Sequence, residues 1–589
     1  MTPGAAPAPT GAQVPPSSDP VPRSTYRVQV RPDFDLDATA ALVPYLDRLG
    51  VTHVYSAPLL TATSGSAHGY DVVDPTAVNP ELGGEAALDR LSAALRERSM
   101  GLVVDIVPNH LGVADTAANR AWWSVLRDGP DSRYAAWFDI DWARGPLLIP
   151  VLGDDLLDDV RIDGDELRYF EHRYPLAPGT GGGSVAEVHA RQHYRLVNWR
   201  RTDADLTYRR FFGIADLAGL RVEDPDVFAG THAEILRWTG RGLVDGLRVD
   251  HPDGLRDPAE YLRRLRAAAP STWVVVEKIL AYREELPGDW PVAGTTGYDA
   301  LREVCGLFID PDGERYFPAR TLFSEAEEVG KREAATELLA TELTRLENLV
   351  PDVARARDAL AEIAVWLGVY RTYLPLGHEY LDAALATAAV RLPEAVAALT
   401  PTLTDGESEL AQRFQQYTGA VMAKGVEDTA FYRWTRFVAL NEVGGKPDRF
   451  GVAPEEFHVA AARRLRAPDG MTTLSTHDTK RSEDVRARLA VLSEIGDRWH
   501  ATLRAWHAAA PLDDDDLADL AWQTAVGAWP NAPDRMRAYL VKAAREAATR
   551  TTWTAPDVPF ESAIGDLVDA IYGPMQASID AFVASIEPA

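Results

Sequence analysis

The chain has 589 residues, 46% of them hydrophobic and 25% charged, a globular composition that excludes wholesale disorder. Its 60 Lys+Arg against 88 Asp+Glu leave a formal net charge of -28, which argues against a nucleic-acid backbone or an anionic membrane as the main partner and suits a neutral substrate. The single cysteine, Cys305, excludes an intrachain disulfide framework and a multi-cysteine metal site. No stretch approaches the ~18–20 apolar residues of a bilayer span. The start lacks the basic-then-apolar pattern of a secretory signal, so a cytoplasmic protein is expected.

Residues 1–23 form a Pro/Ala-rich tract that cannot bury enough surface to fold and reads as a disordered tail. A short strand follows at 25–30, an amphipathic helix at 37–49 and a buried strand at 51–57. The alternation repeats with a helix at 84–99 and a strand at 101–107. Further strands are predicted at 242–250, 273–277 and 471–475. Strands alternating with helices imply a parallel sheet with βα crossovers, and Asp105, Asp250, Glu277 and Asp478 sit at or just past strand ends. That placement predicts an α/β fold of the (β/α)8 TIM-barrel type. The uneven spacing divides the chain into a first barrel part at 24–110, an inserted subdomain at 111–240 and a middle barrel part at 241–310. A mostly helical insertion at 311–468, before strand 7, and an incomplete last barrel part at 469–589 complete the division.

Glycosidic-bond chemistry needs two carboxyls across the bond, one to attack or stabilise the anomeric carbon and one to protonate the leaving oxygen. Taken singly, each of Asp250, Glu277 and Asp478 reads more readily as an ordinary solvated or ion-paired group; the pattern around all of them overturns that. The segments 105–110 (DIVPNH), 246–250 (GLRVD), 276–277 (VE) and 476–478 (THD) occur in this order. In them the chain resembles the α-amylase clan of retaining glycoside-active enzymes. The resemblance implies Asp250 as nucleophile, Glu277 as general acid/base and Asp478 as the third carboxylate, holding sugar hydroxyls. Arg248 would orient the nucleophile and keep it ionised, and His110 and His477 would bind sugar hydroxyls. Asp105, Asn109 and His251 lie in or beside the matching segments and are placed with the substrate-binding residues.

Five further stretches, 24–29 (STYRVQ), 66–72 (SAHGYDV), 277–280 (EKIL), 422–430 (MAKGVEDTA) and 476–486 (THDTKRSEDVR), are similar to the maltooligosyltrehalose synthases. That family implies a (1→4)-α-D-glucan 1-α-D-glucosylmutase, which turns the reducing-end α-1,4 linkage of a maltooligosaccharide into an α,α-1,1 linkage in trehalose biosynthesis. No cofactor or metal is implied. The partner would be the maltooligosaccharide itself, with a functional pairing to a maltooligosyltrehalose trehalohydrolase. Tyr70 would stack on the sugar whose bond is broken, and His68 would line the same subsite. Only six of the 60 cations are lysines, and Lys278, Lys424 and Lys480 fall within these stretches. They are candidate donors to a trapped glucose, with a structural ion pair as the alternative. Asp250-His-Pro-Asp-Gly254 lacks the Lys-His that many starch hydrolases carry after the nucleophile, which favours the mutase.

Alternatives are an α-glucan hydrolase or transglycosylase of the same clan and an inactive glucan-binding fragment. The family's last barrel strand and C-terminal β-domain have no counterpart in this sequence. An unclosed sheet edge then implies weak or absent turnover. Trp122, Trp123, Trp137, Trp142, Trp199 and Trp238 crowd the first insertion, as core or as stacking platforms. His189 and His193 read as surface histidines, residues 179–184 as a surface loop, and Cys305 as a small core residue. Residues 563–586 read as one amphipathic helix, and the acidic run 513–516 as a helix start.

Overall fold

A computed structural model describes residues 21–587, so the predicted tail lies outside them up to position 20. The chain divides into two compact units. The first runs to Glu277 and includes Asp289–Gly294, and the second comprises Lys278–Gly288 and everything from Thr295 onward. The division falls between the predicted acid/base and the lysine that follows it.

The first unit is built on a parallel sheet. Its strands are β1 (Thr25–Val28), β2 (His53–Ser56), β3 (Gly101–Ile106), β4 (Gly246–Val249) and β5 (Trp273–Val276), hydrogen-bonded in that order. The two-residue strand β6 (Gly294–Thr295), where the chain passes into the second unit, ends the sheet. These strands are short apolar runs, and β2 to β5 are buried at every position, as expected of strands covered on both faces. Register brings polar residues side by side: Arg27 lies opposite Tyr55, and Arg248 opposite Asp105. The connecting helices start where the sequence places them. The helix Leu36–Leu49 is capped by Asp35, whose side chain accepts from the Ala38 amide at 2.8 Å, and ends on Gly50. The sheet is an open half-barrel, the curled parallel arrangement of the (β/α)8 type.

The insertion after β3 folds as small sheets and short helices rather than as barrel. Its helix Arg120–Asp128 buries Trp122, and the helix Pro225–Gly240 buries Trp238; both rings are 0% exposed core residues. Trp123, Trp137, Trp142 and Trp199 are partly exposed. Residues 179–184 form a loop that ends by capping the helix Val185–Ala190. His189, expected on the surface, is instead buried: its Nε2 accepts from the Leu196 amide at 2.8 Å, and burial lowers its pKa to about 4. The i, i+4 spacing with His193 carried no information about which face the helix packs.

The second unit is helical among the described residues apart from its share of β6. The insertion expected at 311–468 is helical, with an interruption near its start: α-helices Phe323–Glu333 and Ala340–Glu347 flank a π-helical turn at Ala334–Leu338. The expected strand at 471–475 does not form. Its only ladder-like bond is Met471 N–H to Thr295 O at 3.0 Å, because the two-residue β6 offers no longer edge to pair with. The single helix expected over 563–586 is two, Val558–Tyr572 and Gln576–Ile586, broken at Gly573-Pro574 where the proline cannot continue a helix. Asp514 caps the helix Asp515–Gly527, as the acidic run implied. Cys305, expected in the core, is only half-buried. No helix of the described residues is long and apolar enough to cross a membrane.

The sheet tolerates no side chain at the start of β3. A Cβ on Gly101 would meet the His53 ring at 2.2 Å and Asp245 Oδ2 at 2.9 Å. Gly101→Ala is expected to lower stability by ~1–3 kcal/mol, read as a reduced urea midpoint at unchanged m-value.

Candidate active site

The strand ends of the first unit carry a cluster organised around one cation. Arg248 is fully buried, and its Nη1 donates to Asp105 Oδ1 at 2.9 Å and to Asp250 Oδ1 at 2.6 Å. Its Nη2 lies 3.0 Å from Glu277 Oε1. Burial alone would lower the guanidinium pKa; Asp105 and Glu277, followed by Tyr55 and Asp250, reverse this and hold it well above its usual value. Glu277 Oε2 also accepts from the His251 amide at 2.8 Å.

Asp105 is the floor of the cluster. Besides Arg248, the hydroxyls of Tyr55 and Tyr70 donate to its Oδ2 at 3.1 and 2.5 Å. Tyr70 is delivered by a tight loop in which Gly69 adopts φ +80, a conformation open to glycine, and a Cβ there would meet Pro58 O at 2.9 Å. Burial and the Asp105 carboxylate push the Tyr70 hydroxyl well above its ordinary range, so it stays a donor. His68 stacks beside the Tyr70 ring at 6.1 Å between centroids and remains half-exposed. His110 is buried with Nε2 3.1 Å from the Tyr70 carbonyl; burial, reinforced by His251, lowers its pKa to about 3, so it is neutral.

Sequence reasoning passed over three residues beside this cluster, all in Tyr208-Arg-Arg-Phe-Phe212 of the insertion. Arg209 donates to Asn109 Oδ1 at 2.8 Å and pairs with Asp139 at 3.2 Å, fixing Asn109. Phe211 packs on His110 at 4.4 Å between centroids, and Phe212 on His251 at 4.9 Å. Phe212 and His251 both have left-handed backbones, φ 50 and 42. For non-glycine residues that conformation is costly and clusters at functional sites. The signal available in the sequence was the doubled Arg-Arg-Phe-Phe ahead of Gly213, which resembles no site motif by itself.

The second unit holds the remaining predicted residues. Asp478 Oδ2 accepts from the Tyr298 hydroxyl at 3.1 Å and lies 3.2 Å from His477 Nε2. The three lysines all have acidic neighbours. Lys278 is buried against Glu284 at 3.0 Å, Lys424 lies 2.8 Å from Asp428 Oδ2, and Lys480 lies 3.6 Å from Asp428 Oδ1. Lys424, Glu427 and Asp428 ride on a second π-helical segment, Ala423–Ala430, continuing the helix Glu409–Met422. Such segments recur at functional sites. Glu427, also passed over in the sequence, is buried and hydrogen-bonded by the Tyr370 hydroxyl; burial raises its pKa to about 7. Among the described residues no group of His, Cys, Asp and Glu forms a candidate metal site.

Residues 22–263 match the family model for the alpha amylase catalytic domain. The chain is 46% identical over 599 residues to a putative maltooligosyl trehalose synthase of Mycobacterium tuberculosis, an alignment covering 96% of this chain and 78% of that protein. Among solved structures, the maltooligosyltrehalose synthase from Arthrobacter ramosus superposes with a TM-score of 0.94 at 49% identity, covering 96% of this chain and 77% of that one. A hypothetical maltooligosyl trehalose synthase of Sulfolobus tokodaii aligns with a TM-score of 0.85 at 32% identity, covering 96% and 78%.

Removing the central cation takes the shared guanidinium away from the carboxyls of Asp105, Asp250 and Glu277. Arg248→Met is expected to cost ~3–5 kcal/mol in chemical unfolding at neutral pH. The abandoned carboxyls then bind protons more readily in the folded state, so the deficit should shrink as pH falls, and adding Asp105→Asn should restore part of it.

Proposed function

The chain belongs to the maltooligosyltrehalose synthase family, and we propose that it is a (1→4)-α-D-glucan 1-α-D-glucosylmutase acting on maltooligosaccharides by retaining double displacement. The observation that carries this reading is the grip of one Arg248 guanidinium on both Asp250 and Glu277. Carboxylates held by the two arms of a single guanidinium suit the ~5–5.5 Å separation of a retaining pair better than the ~6.5–9.5 Å of an inverting one.

In the proposed cycle Asp250, held ionised by Arg248, attacks the anomeric carbon of the penultimate sugar, while Glu277 gives its proton to the departing oxygen. The product of this step is a glycosyl ester and a free glucose. The glucose turns over and offers its C1 hydroxyl; Glu277, now a base, takes that proton as the oxygen attacks the anomeric carbon of the glycosyl ester. Asp250 leaves, and the new bond is α,α-1,1 with retention at the transferred sugar. The reaction requires that water be kept from the ester while glucose reorients. His110, neutral and wedged under Phe211, and the Tyr70 ring supply apolar and hydrogen-bonding surface for the transferred sugar. We assign Asp478 to holding sugar hydroxyls. Lys424 and Lys480 are assigned as donors to the released glucose, and both lie beside Asp428. Lys278 suits a structural role better, since Glu284 and the rings of Tyr370 and Tyr373 surround its ammonium. The product is the substrate expected of a maltooligosyltrehalose trehalohydrolase, which would release trehalose.

Incubation with maltohexaose followed by reducing-end assay and anomeric NMR tests the reading. Falling reducing power at constant chain length, with a 1,1-linked signal, is expected. Rising reducing power would mark a hydrolase, and binding without change a non-catalytic glucan binder. Glu277→Gln should lower the rate by ~10²–10⁴-fold, and added azide should not restore an α,α-1,1 product.

A further inference from the structure

The stretches 24–29 and 66–72 contribute only His68 and Tyr70 to the proposed chemistry, yet the structure ties them together. Arg27 and Gln29 stand two residues apart on an extended chain and so share a face. Arg27 Nη1 donates to Gln29 Oε1 at 2.7 Å, and its Nη2 donates to the Tyr70 hydroxyl at 3.2 Å. Gln29 Nε2 in turn donates to the Ala67 carbonyl at 3.1 Å. The start of the sheet therefore grips the Tyr70 loop twice, by its backbone and by the far end of the tyrosine. The hydroxyl hands the contact on to Asp105 Oδ2, and Arg27 Nη2 itself lies 3.9 Å from that oxygen. The Arg27 and Asp105 side chains are 9% and 0% exposed, so water screens this pair poorly.

A count of charges shows what a second cation does there. Asp105, Asp250 and Glu277 bring three carboxyls to the cluster, and Arg248 brings one positive charge. With Arg27 the cluster is short by a single positive charge, which one bound proton supplies. That is the state a retaining pair needs, with one carboxyl ionised and the other protonated. Without Arg27 the shortfall is two.

We propose that Arg27 is a positioning residue for the glucosylmutase reaction: acting through Tyr70 and Asp105, it fixes the Tyr70 ring and sets the charge balance in which Asp250 is ionised while Glu277 holds a proton. The proposal rests on the glucosylmutase reading. The titratable groups facing Arg27 are Tyr70, Tyr55 and Asp105, and together they outweigh burial in keeping the guanidinium charged. Those facing Asp105 are Tyr55, Tyr70, Arg27 and Arg248.

The test compares wild type, Arg27→Met and Arg27→Lys on maltohexaose for kcat, KM and the pH profile, with thermal midpoints measured alongside. Arg27→Met should lower kcat by about ten- to a hundredfold with a smaller change in KM. It should also move the acidic limb up by about one pH unit, because a lost positive charge raises the pH at which Asp250 ionises. Arg27→Lys keeps the charge and loses the fork, so its limb should stay in place while kcat falls. A lowered thermal midpoint with an unmoved limb in Arg27→Met is what a merely structural residue gives, and it overturns the proposal. Should Arg27→Met not fold, Arg27→Lys decides: a shifted limb or an unchanged kcat overturns it. If the wild-type chain leaves maltohexaose unaltered, the glucosylmutase reading fails and this proposal falls with it, an outcome distinct from an active wild type whose Arg27→Met limb does not move.

Discussion

The buried guanidinium of Arg248 is the constraint on which the first unit depends. Taking an ion of that size out of water costs several kcal/mol after relaxation, and only close, well-oriented counter-charges offset it. Those charges come from three strands: Asp105 at the end of β3, Asp250 just past β4 and Glu277 just past β5. Arg248 and Asp105 are direct register partners. A slip of one residue between β3 and β4 would turn one of them to the other face and strand the other charge. The cluster thus enforces strand order and register as strictly as the apolar core does. The same charges that would carry the chemistry also select the fold.

The main-sheet strands were legible because they are short apolar runs bounded by helices and glycines, and their polar residues fall where such runs end. Asp105, Asp250 and Glu277 could be placed from that alone, since strand ends gather on one edge of a parallel sheet, whereas Arg248 was singled out by the resemblance. The rest depended on tertiary facts. Arg209, Phe211 and Phe212 come from a hairpin in an insertion whose docking no local pattern encodes. His189 has the same i, i+4 relation to His193 whether its helix face is wet or packed. The strand missing at 471–475 had adequate composition and lacked a neighbour long enough to pair with.

The helical unit shows a related limit. A π-helical turn adds a residue to the helical repeat without changing composition, so Ala423–Ala430 reads in sequence as plain helix. Within it Lys424 and Asp428 are ion-paired at the i, i+4 spacing, while Glu427 turns inward to Tyr370. The outward signs that these positions differ were the resemblance carried by residues 422–430 and the scarcity of lysine in an arginine-rich chain. An ammonium concentrates its charge where a planar fork would spread it, which suits two cations converging on the one carboxylate of Asp428.

Phe212 and His251 touch one another while both hold left-handed backbones. The His251 conformation aims its amide at Glu277, so the strain is spent on presenting a donor to the proposed acid/base. Each such residue costs on the order of 1–3 kcal/mol, held in place by the packing around it. Selection for heat resistance alone would be drawn to these two positions, since glycine relaxes the backbone there. Variants gained in that way would be hardier and worse catalysts, so a thermostabilisation campaign on this chain does best to leave Phe212 and His251 alone and seek its gains elsewhere.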